Sequence, residues 1–317
     1  MKILKKSLAL FFVFLGVNKL FALGTLELVN SQTLDMNLAE NLTISYSSDN
    51  IILLESNDNN LILKEFMTRN SPEYFAKIEN SRDAITISNG KRPWFIRTRI
   101  EIYIPKIFND NLVVNLRSGN LTANYSMDHK TINLSVSSGN LKINRITSEN
   151  ITVDVSSGNI TIDELIGNDL TVRNRSGNIN INSLQGKVNA VNQSGNIKVN
   201  NFVGEGAFDV RSGNIRVNNF VGEGTFGVRS GNIDLTVNDI VGDLSLSSNS
   251  GNVNLLMRPN ISFILDAEVR SGTIGAPNLR RQTNTNIQYN IGSSPIYKVF
   301  AKCGSGNINI KYREKQG

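Results

Sequence analysis

The sequence predicts an all-β protein: a β-solenoid (β-helix) of coils about 18–20 residues long with Gly/Asn corners, preceded by an irregular β-rich N-terminal segment. Three observations predict it. Asn201 to Ile215 recurs as Asn219 to Ile233, differing only at Ala207/Thr225 and Asp209/Gly227, with an offset of 18 residues. The triplet Ser-Gly-Asn recurs from Ser118, Ser138, Ser157, Ser176, Ser194, Ser212, Ser230 and Ser250, and Ser271-Gly-Thr and Ser305-Gly-Asn follow. Between triplets, apolar and polar residues alternate with period two, as in Ile160-Thr-Ile162 and Phe208-Asp-Val210. An 18-residue coil leaves no room for helices joined by two or three residues, but strands close it.

Residues 1–22 read as a signal peptide. Lys2, Lys5 and Lys6 precede an apolar run from Ser7 to Val17, and Leu20-Phe-Ala22 offers a cleavage site. Without this segment, which holds four of the 33 basic residues and no acid, 29 basic residues face 27 acidic ones. Overall charge therefore gives no reason to expect nucleic acid as a partner. No later stretch is long and apolar enough to predict a membrane span once the signal is removed. The expected location is extracytoplasmic: periplasm, outer surface or secreted.

Residues 23–109 form a β-rich N-terminal part of the solenoid or a cap. Asn41 to Tyr46 and Ala84 to Ser88 alternate cleanly, and the strand from Arg97 is stopped by Pro105, which cannot donate to a ladder. Phe66 to Ile78 reads as an irregular or short helical insertion. Its aromatics Phe66, Tyr74 and Phe75, with Trp94, are expected to pack over a solenoid end; a binding platform is the alternative.

Residues 110–275 are the regular repeats. The corner glycines Gly119, Gly139, Gly158, Gly177, Gly195, Gly213, Gly231 and Gly251 supply the close approach or positive φ of a sharp turn. Their neighbours Asn120, Asn140, Asn159, Asn178, Asn196, Asn214, Asn232 and Asn252 read as a structural amide ladder between coils. Residues 276–317 break the rhythm. Asn278 to Gln288 reads as a loop, and Ile296 to Ala301 and Asn307 to Tyr312 as closing strands of a cap, since a solenoid must hide its last edge.

The chemistry is sparse. One cysteine, Cys303, excludes an internal disulfide framework, a cysteine zinc site and lipid attachment at a mature N-terminus; it reads as a small, partly buried strand residue. The single histidine, His129, lies in a polar stretch and reads as a surface residue. Ser-Gly-Asn lacks the Asp that calcium β-rolls use, so no metal or cofactor is expected. The acids occupy scattered repeat positions, and no catalytic residues are assigned. One file stands out: Arg117, Arg175, Arg211, Arg229 and Arg270 each precede Ser-Gly. Such a file could hold a polyanion or a partner, or be neutralised by Glu205 and Glu223, or simply be solvated.

The repeats, the export segment and the strand ending Ile102-Tyr-Ile-Pro105 resemble the bacterial exported β-strand-repeat family labelled "putative adhesin", related to the head-domain group of "putative autotransporter adhesins". Leu63 to Met67, Tyr74 to Ala76 and Gly90 to Pro93 look like the pre-solenoid part of its longer members, and the likeness spans residues 26–311. The resemblance implies a β-solenoid and supplies no catalytic residue. The resulting expectation is a non-enzymatic, adhesin-like envelope or surface interaction protein that binds an unknown protein or acidic polysaccharide through side-chain ladders. The alternatives are a periplasmic structural scaffold or a solenoid that self-associates through its ends, and a glycan-binding or glycan-cleaving β-helix.

Overall fold

A computed structural model describes residues 24–313; the predicted signal peptide lies outside them. Among the described residues the regular elements are β-strands, apart from one 3-10 turn at Pro72–Tyr74. No helix among the described residues is long and apolar enough to cross a membrane. The repeats stack as a parallel β-solenoid. Residue pairs such as Ile160↔Ile179, Ile179↔Ile197 and Ile197↔Ile215 stand in register from coil to coil, about 4.8 Å apart.

Each coil has two strand legs. In the coil 131–147, the first leg Thr131–Ser138 pairs with Asn111–Ser118 behind it and with residues 150–157 ahead. Its second leg follows the Ser138-Gly-Asn140 corner and pairs with Leu121–Asp128 and residues 160–167. Period-two alternation sends Ile132, Leu134, Val136, Leu141 and Ile143 into the interior, where all are buried. The core is therefore a set of continuous apolar files that no single coil could enclose.

The duplicated unit packs these files differently. Phe202, Phe208, Phe220 and Phe226 meet in one cluster, with Phe208 stacked on Phe226 at 5.0 Å and Phe202 edge-on to Phe208 at 5.6 Å. Gly206 makes room for them, since a Cβ there would lie 2.5 Å from the Phe208 ring and 2.7 Å from Phe202. The preceding coil fills the matching positions with Leu184, Val188 and Ala190. Large residues replace small ones on either side of a glycine that replaces valine, so the cross-section stays filled.

Both ends depart from sequence order. Residues 84–105 form the outermost N-terminal coil, and the earlier segment 41–56 lies between it and the coil 111–128. At the other end, Lys298–Ser305 and Ile308–Tyr312 insert between the coil ending at Met257 and the earlier segment 263–275. The expectation that these last strands close the solenoid is thereby corrected: they form its penultimate coil. Two five-residue linkers, 106–110 and 258–262, climb past the intercalated coils. Pro105 ends the strand before the first and Pro259 lies in the second, and the linkers plug the core with the buried side chains Phe108 and Ile261.

Antiparallel strands cover both terminal coils. Asn60–Met67 lies on Thr98–Pro105 and is itself covered by Glu27–Asp35, while Lys77–Asn80 covers Ala84–Ser88. At the far end Asn286–Ile291 lies on Phe263–Ser271, and Gln282–Thr283 on Thr273–Gly275. Part of the segment expected to be a loop, at 282–283 and 286–288, is thus edge-covering strand. Of the expected insertion 66–78, only the 3-10 turn and its flanks are irregular.

Candidate functional site

The corners form one continuous line down the solenoid. Each corner glycine from Gly119 to Gly251 has φ between +117° and +140° or just above, up to +141° at Gly158. A Cβ there would fall 1.7–2.1 Å from a backbone carbonyl oxygen of the coil behind. Only glycine permits that approach. The adjoining asparagines join up in one sense: the backbone amide of each bonds the side-chain oxygen of the Asn one coil earlier, from Asn120 on Asn50 at 3.1 Å to Asn307 on Asn252 at 3.0 Å. Thr273 ends the line on Asn307. Each such bond contributes about 0.5–1.5 kcal/mol net, and together they fix the coil register.

Beside this line, the file two residues before each Ser is Leu116, Val136 and Val155, then Asn174 and Asn192, Val210 and Val228, Ser248, Cys303 and Val269. Its polar members donate to corner carbonyls behind them. Asn174 bonds Gly158 at 2.9 Å, Asn192 bonds Gly177 at 2.8 Å, Ser248 bonds Gly231 at 3.0 Å and Cys303 bonds Gly251 at 3.0 Å. Cys303 is therefore a fully buried core residue rather than a partly exposed one, and burial raises its thiol pKa.

Arg117, Arg175, Arg211, Arg229 and Arg270 are all exposed, and none forms a salt bridge among the described residues. They do not form an unbroken file. Ser137 and Ser156 separate Arg117 from Arg175, Gln193 separates Arg175 from Arg211, and Asn249 and Gly304 separate Arg229 from Arg270. Arg211 and Arg229 alone are direct neighbours. Two such charges in water repel by about 1 kcal/mol at close range, which solvation tolerates. Glu205 and Glu223 do not neutralise them, for they lie at the other end of the strand leg; Glu205 instead pairs with Lys187 at 3.0 Å.

The acids are also less scattered than the sequence suggests. Glu205, Glu223 and Asp243 line one shallow groove of about 330 Å³. Their carboxylates are occupied separately: Glu205 by Lys187, Asp243 by the Lys298 amide at 2.8 Å, and Glu223 folded over Gly242.

His129 is not a surface residue. It is 4% exposed, packed against Phe108 at 5.4 Å between ring centroids, with Nε2 3.1 Å from the Tyr125 hydroxyl. Nδ1 has no hydrogen-bond partner among the described residues. Burial pulls its pKa down to about 4, against smaller opposing effects from Asp128, the Phe108 backbone and Asp110.

The densest polar cluster went unread in the sequence. Asp49, in Ser48-Asp-Asn50, stands where the next coil has Gly119: its amide donates to Ser118 at 3.0 Å, as Gly119 donates to Ser138. The outermost coil has no tight corner there, only the loop 89–97, so the Asp49 carboxylate has space to turn outward. Arg92 meets it at 2.5 Å, bonds Glu65 with its other terminal nitrogen, and donates from Nε to the Tyr74 carbonyl at 2.6 Å. Glu65 is 0% exposed and also accepts from Asn30 at 2.7 Å and the Ala76 amide at 2.9 Å. The Thr98 hydroxyl donates to Asp49. Burial raises the pKa of neighbouring Tyr46, whose ring lies 5.5 Å from the Arg92 guanidinium. Removing one member of such a buried pair costs about 3–5 kcal/mol. The usable sequence signal was Ser-Asp-Asn in the Ser-Gly-Asn frame.

The expected aromatic cover divides. Phe66, Tyr74 and Phe75 are partly buried, with Arg99 over the Phe66 ring at 4.2 Å, but Trp94 is 94% exposed.

The model of the family described as Toastrack DUF4097 matches residues 39–208 and 203–311. Among solved structures, a "putative cell adhesion protein" from Clostridium sporogenes ATCC 15579 is 14% identical, with 91% of this chain and 100% of that one covered and a TM-score of 0.26. A "putative adhesin" from Bacteroides fragilis NCTC 9343 is 12% identical, with 90% and 96% covered and a TM-score of 0.33. Another from Parabacteroides distasonis ATCC 8503 is 14% identical, with 92% and 98% covered and a TM-score of 0.31. No curated protein matches the chain.

Proposed function

This chain belongs to the Toastrack DUF4097 family, and we propose that it is a non-enzymatic, extracytoplasmic interaction protein, adhesin-like in using a rigid solenoid face to hold a partner. The observation that carries the reading is the register of the outward side chains. Arg175, Gln193, Arg211 and Arg229 follow one another on four successive coils, exposed, at a spacing of about 4.8 Å. A polymer with repeating acidic groups, such as an acidic polysaccharide, can engage several of these at once, and linked weak contacts multiply in effect. The line of corner hydrogen bonds keeps that face from flexing, which limits the entropy lost on binding. Some acids elsewhere pair with basic neighbours, as in Arg216–Asp234, Arg145–Glu164 and Lys302–Glu268, and are not free to serve as a glycan-cleaving pair. Self-association through the solenoid ends is the weaker alternative, because antiparallel strands cover both terminal coils.

Two measurements test the reading. Protease digestion of the protein on intact cells, compared with lysed cells, separates surface exposure from a periplasmic location; protection until lysis removes direct adhesion. Retention on an immobilised acidic polysaccharide should fall with salt and be lost when Arg175, Arg211 and Arg229 are replaced by serine. Equal retention of that variant would sink the arginine face as the binding surface.

A further inference from the structure

We propose that the turn from Pro93 to Ile96 is a membrane-contact tip: Trp94 and Phe95 enter the headgroup layer of a bilayer while Arg69, Lys91 and Arg97 engage anionic headgroups. The inference goes beyond the lateral-face reading and does not depend on it. The Ile96 amide bonds the Pro93 carbonyl at 3.1 Å, which places Trp94 and Phe95 at the apex of a tight turn. Trp94 is 94% and Phe95 47% exposed, their rings edge-on at 6.0 Å. Large aromatics left in water need a reason.

The apex is held rigidly. On one side Arg92 is tied to Asp49, Glu65 and the Tyr74 carbonyl; on the other, Ile96 is buried. A buried charge network thus clamps a loop whose tip is exposed, with Arg69 4.9 Å from the Phe95 ring centre. Arg69, Lys91 and Arg97 are exposed and form no salt bridge among the described residues. Asp49 and Glu65 beneath them are already held by Arg92, while Glu73, whose carbonyl accepts the Lys91 amide at 2.9 Å, offsets part of the charge.

Shape and position favour lipid over protein. Two aromatic side chains bury about 400 Å² together, half of the about 800 Å² per partner of a specific protein interface. Tryptophan beside cations on a convex tip suits the membrane–water boundary. Gly24, the first described residue, packs beside Thr68, and Thr68 and Arg97 exchange hydrogen bonds at 3.2 Å. The chain therefore enters the solenoid at the base of this turn.

Trp94 is the only tryptophan in the sequence, so its emission reports on the tip even if another part of the full chain holds the membrane. The full chain is titrated with phosphatidylcholine vesicles, with and without phosphatidylglycerol, and with bromine-labelled acyl chains. Anionic vesicles should shift the emission to shorter wavelength, and bromine should quench it. Arg69→Gln with Arg97→Gln should require roughly tenfold or more lipid for the same shift, and Phe95→Ser should act in the same direction. Solvent-like emission at lipid saturation, even from vesicle-bound chain, would overturn the proposal. So would a blue shift that grows with protein concentration without lipid, which would assign the tip to a second copy.

Discussion

The Gly251 amide donates to the Ser305 carbonyl at 2.9 Å, the same contact that Gly231 makes with Ser250 at 2.8 Å one coil earlier. Ser305 thus continues the corner line directly after Ser250, and Ser271, which comes between them in sequence, stands one coil further out: Gly306 donates to Ser271 at 2.9 Å.

Ending the chain at residue 292 removes the coil on which 263–275 rests. We expect hydrogen exchange to show loss of protection across 263–291, while 111–250 stays protected. Retained protection of 263–275 would mean that this segment can stack directly on the Ser250 coil, and that the inverted order is not required.

Gly206→Val should destabilise the protein by about 1–3 kcal/mol, because the new side chain overlaps the Phe202 and Phe208 rings. Adding Phe202→Leu and Phe208→Ala reproduces the Leu184, Val188 and Ala190 set of the coil behind. Chemical denaturation should show the triple variant more stable than Gly206→Val with either other change alone. Additive losses would show that the coil cross-section is not filled as a unit.

Asn192→Val and Asn174→Val probe the same file. Asn192 is 0% exposed and its side-chain oxygen has no partner among the described residues, whereas the Asn174 oxygen accepts the Ser176 amide at 3.2 Å. Val210 and Val228 occupy the equivalent place in the next coils. Replacing Asn192 should change stability by less than about 1 kcal/mol, and replacing Asn174 should cost more, since it strands an amide. Equal losses would contradict this difference.

His129 should make the fold acid-sensitive. Its folded pKa of about 4 lies below the ordinary 6.5, so the unfolded chain takes up a proton first. The neutral ring's contribution is complete above about pH 6.5, declines as pH falls towards 4, and levels off below that, a loss of about 3 kcal/mol in all. His129→Gln should flatten the part of the stability–pH curve between pH 6.5 and 4 that the carboxylates do not account for. Parallel curves for the two proteins would show that the imidazole is not what titrates.

Much of the fold was legible because the repeat is a local code. Gly119 to Gly251 and their asparagines mark the corners, and the alternation around them names the buried files. The candidate face was legible only in part. Counting Arg-Ser-Gly located five arginines, but Ser137, Ser156, Gln193, Asn249 and Gly304 interrupt the file and leave Arg211 and Arg229 as its one adjacent pair. His129 and Cys303 were misplaced because their surroundings come from distant segments: Phe108 of a climbing linker for one, and the intercalation beside Ser250 for the other.

The sequence by itself determined the coil length, the strand legs, the corner residues and the inward files, since each depends on spacing within about twenty residues. Only the tertiary structure decided the order of the coils at both ends, the meeting of Asp49, Arg92 and Glu65, and the exposure of Trp94. Those depend on which free edge a segment pairs with. Adjacent coils offer nearly identical hydrogen-bonding edges, so linker length and end packing settle the choice, and neither is written in the repeat.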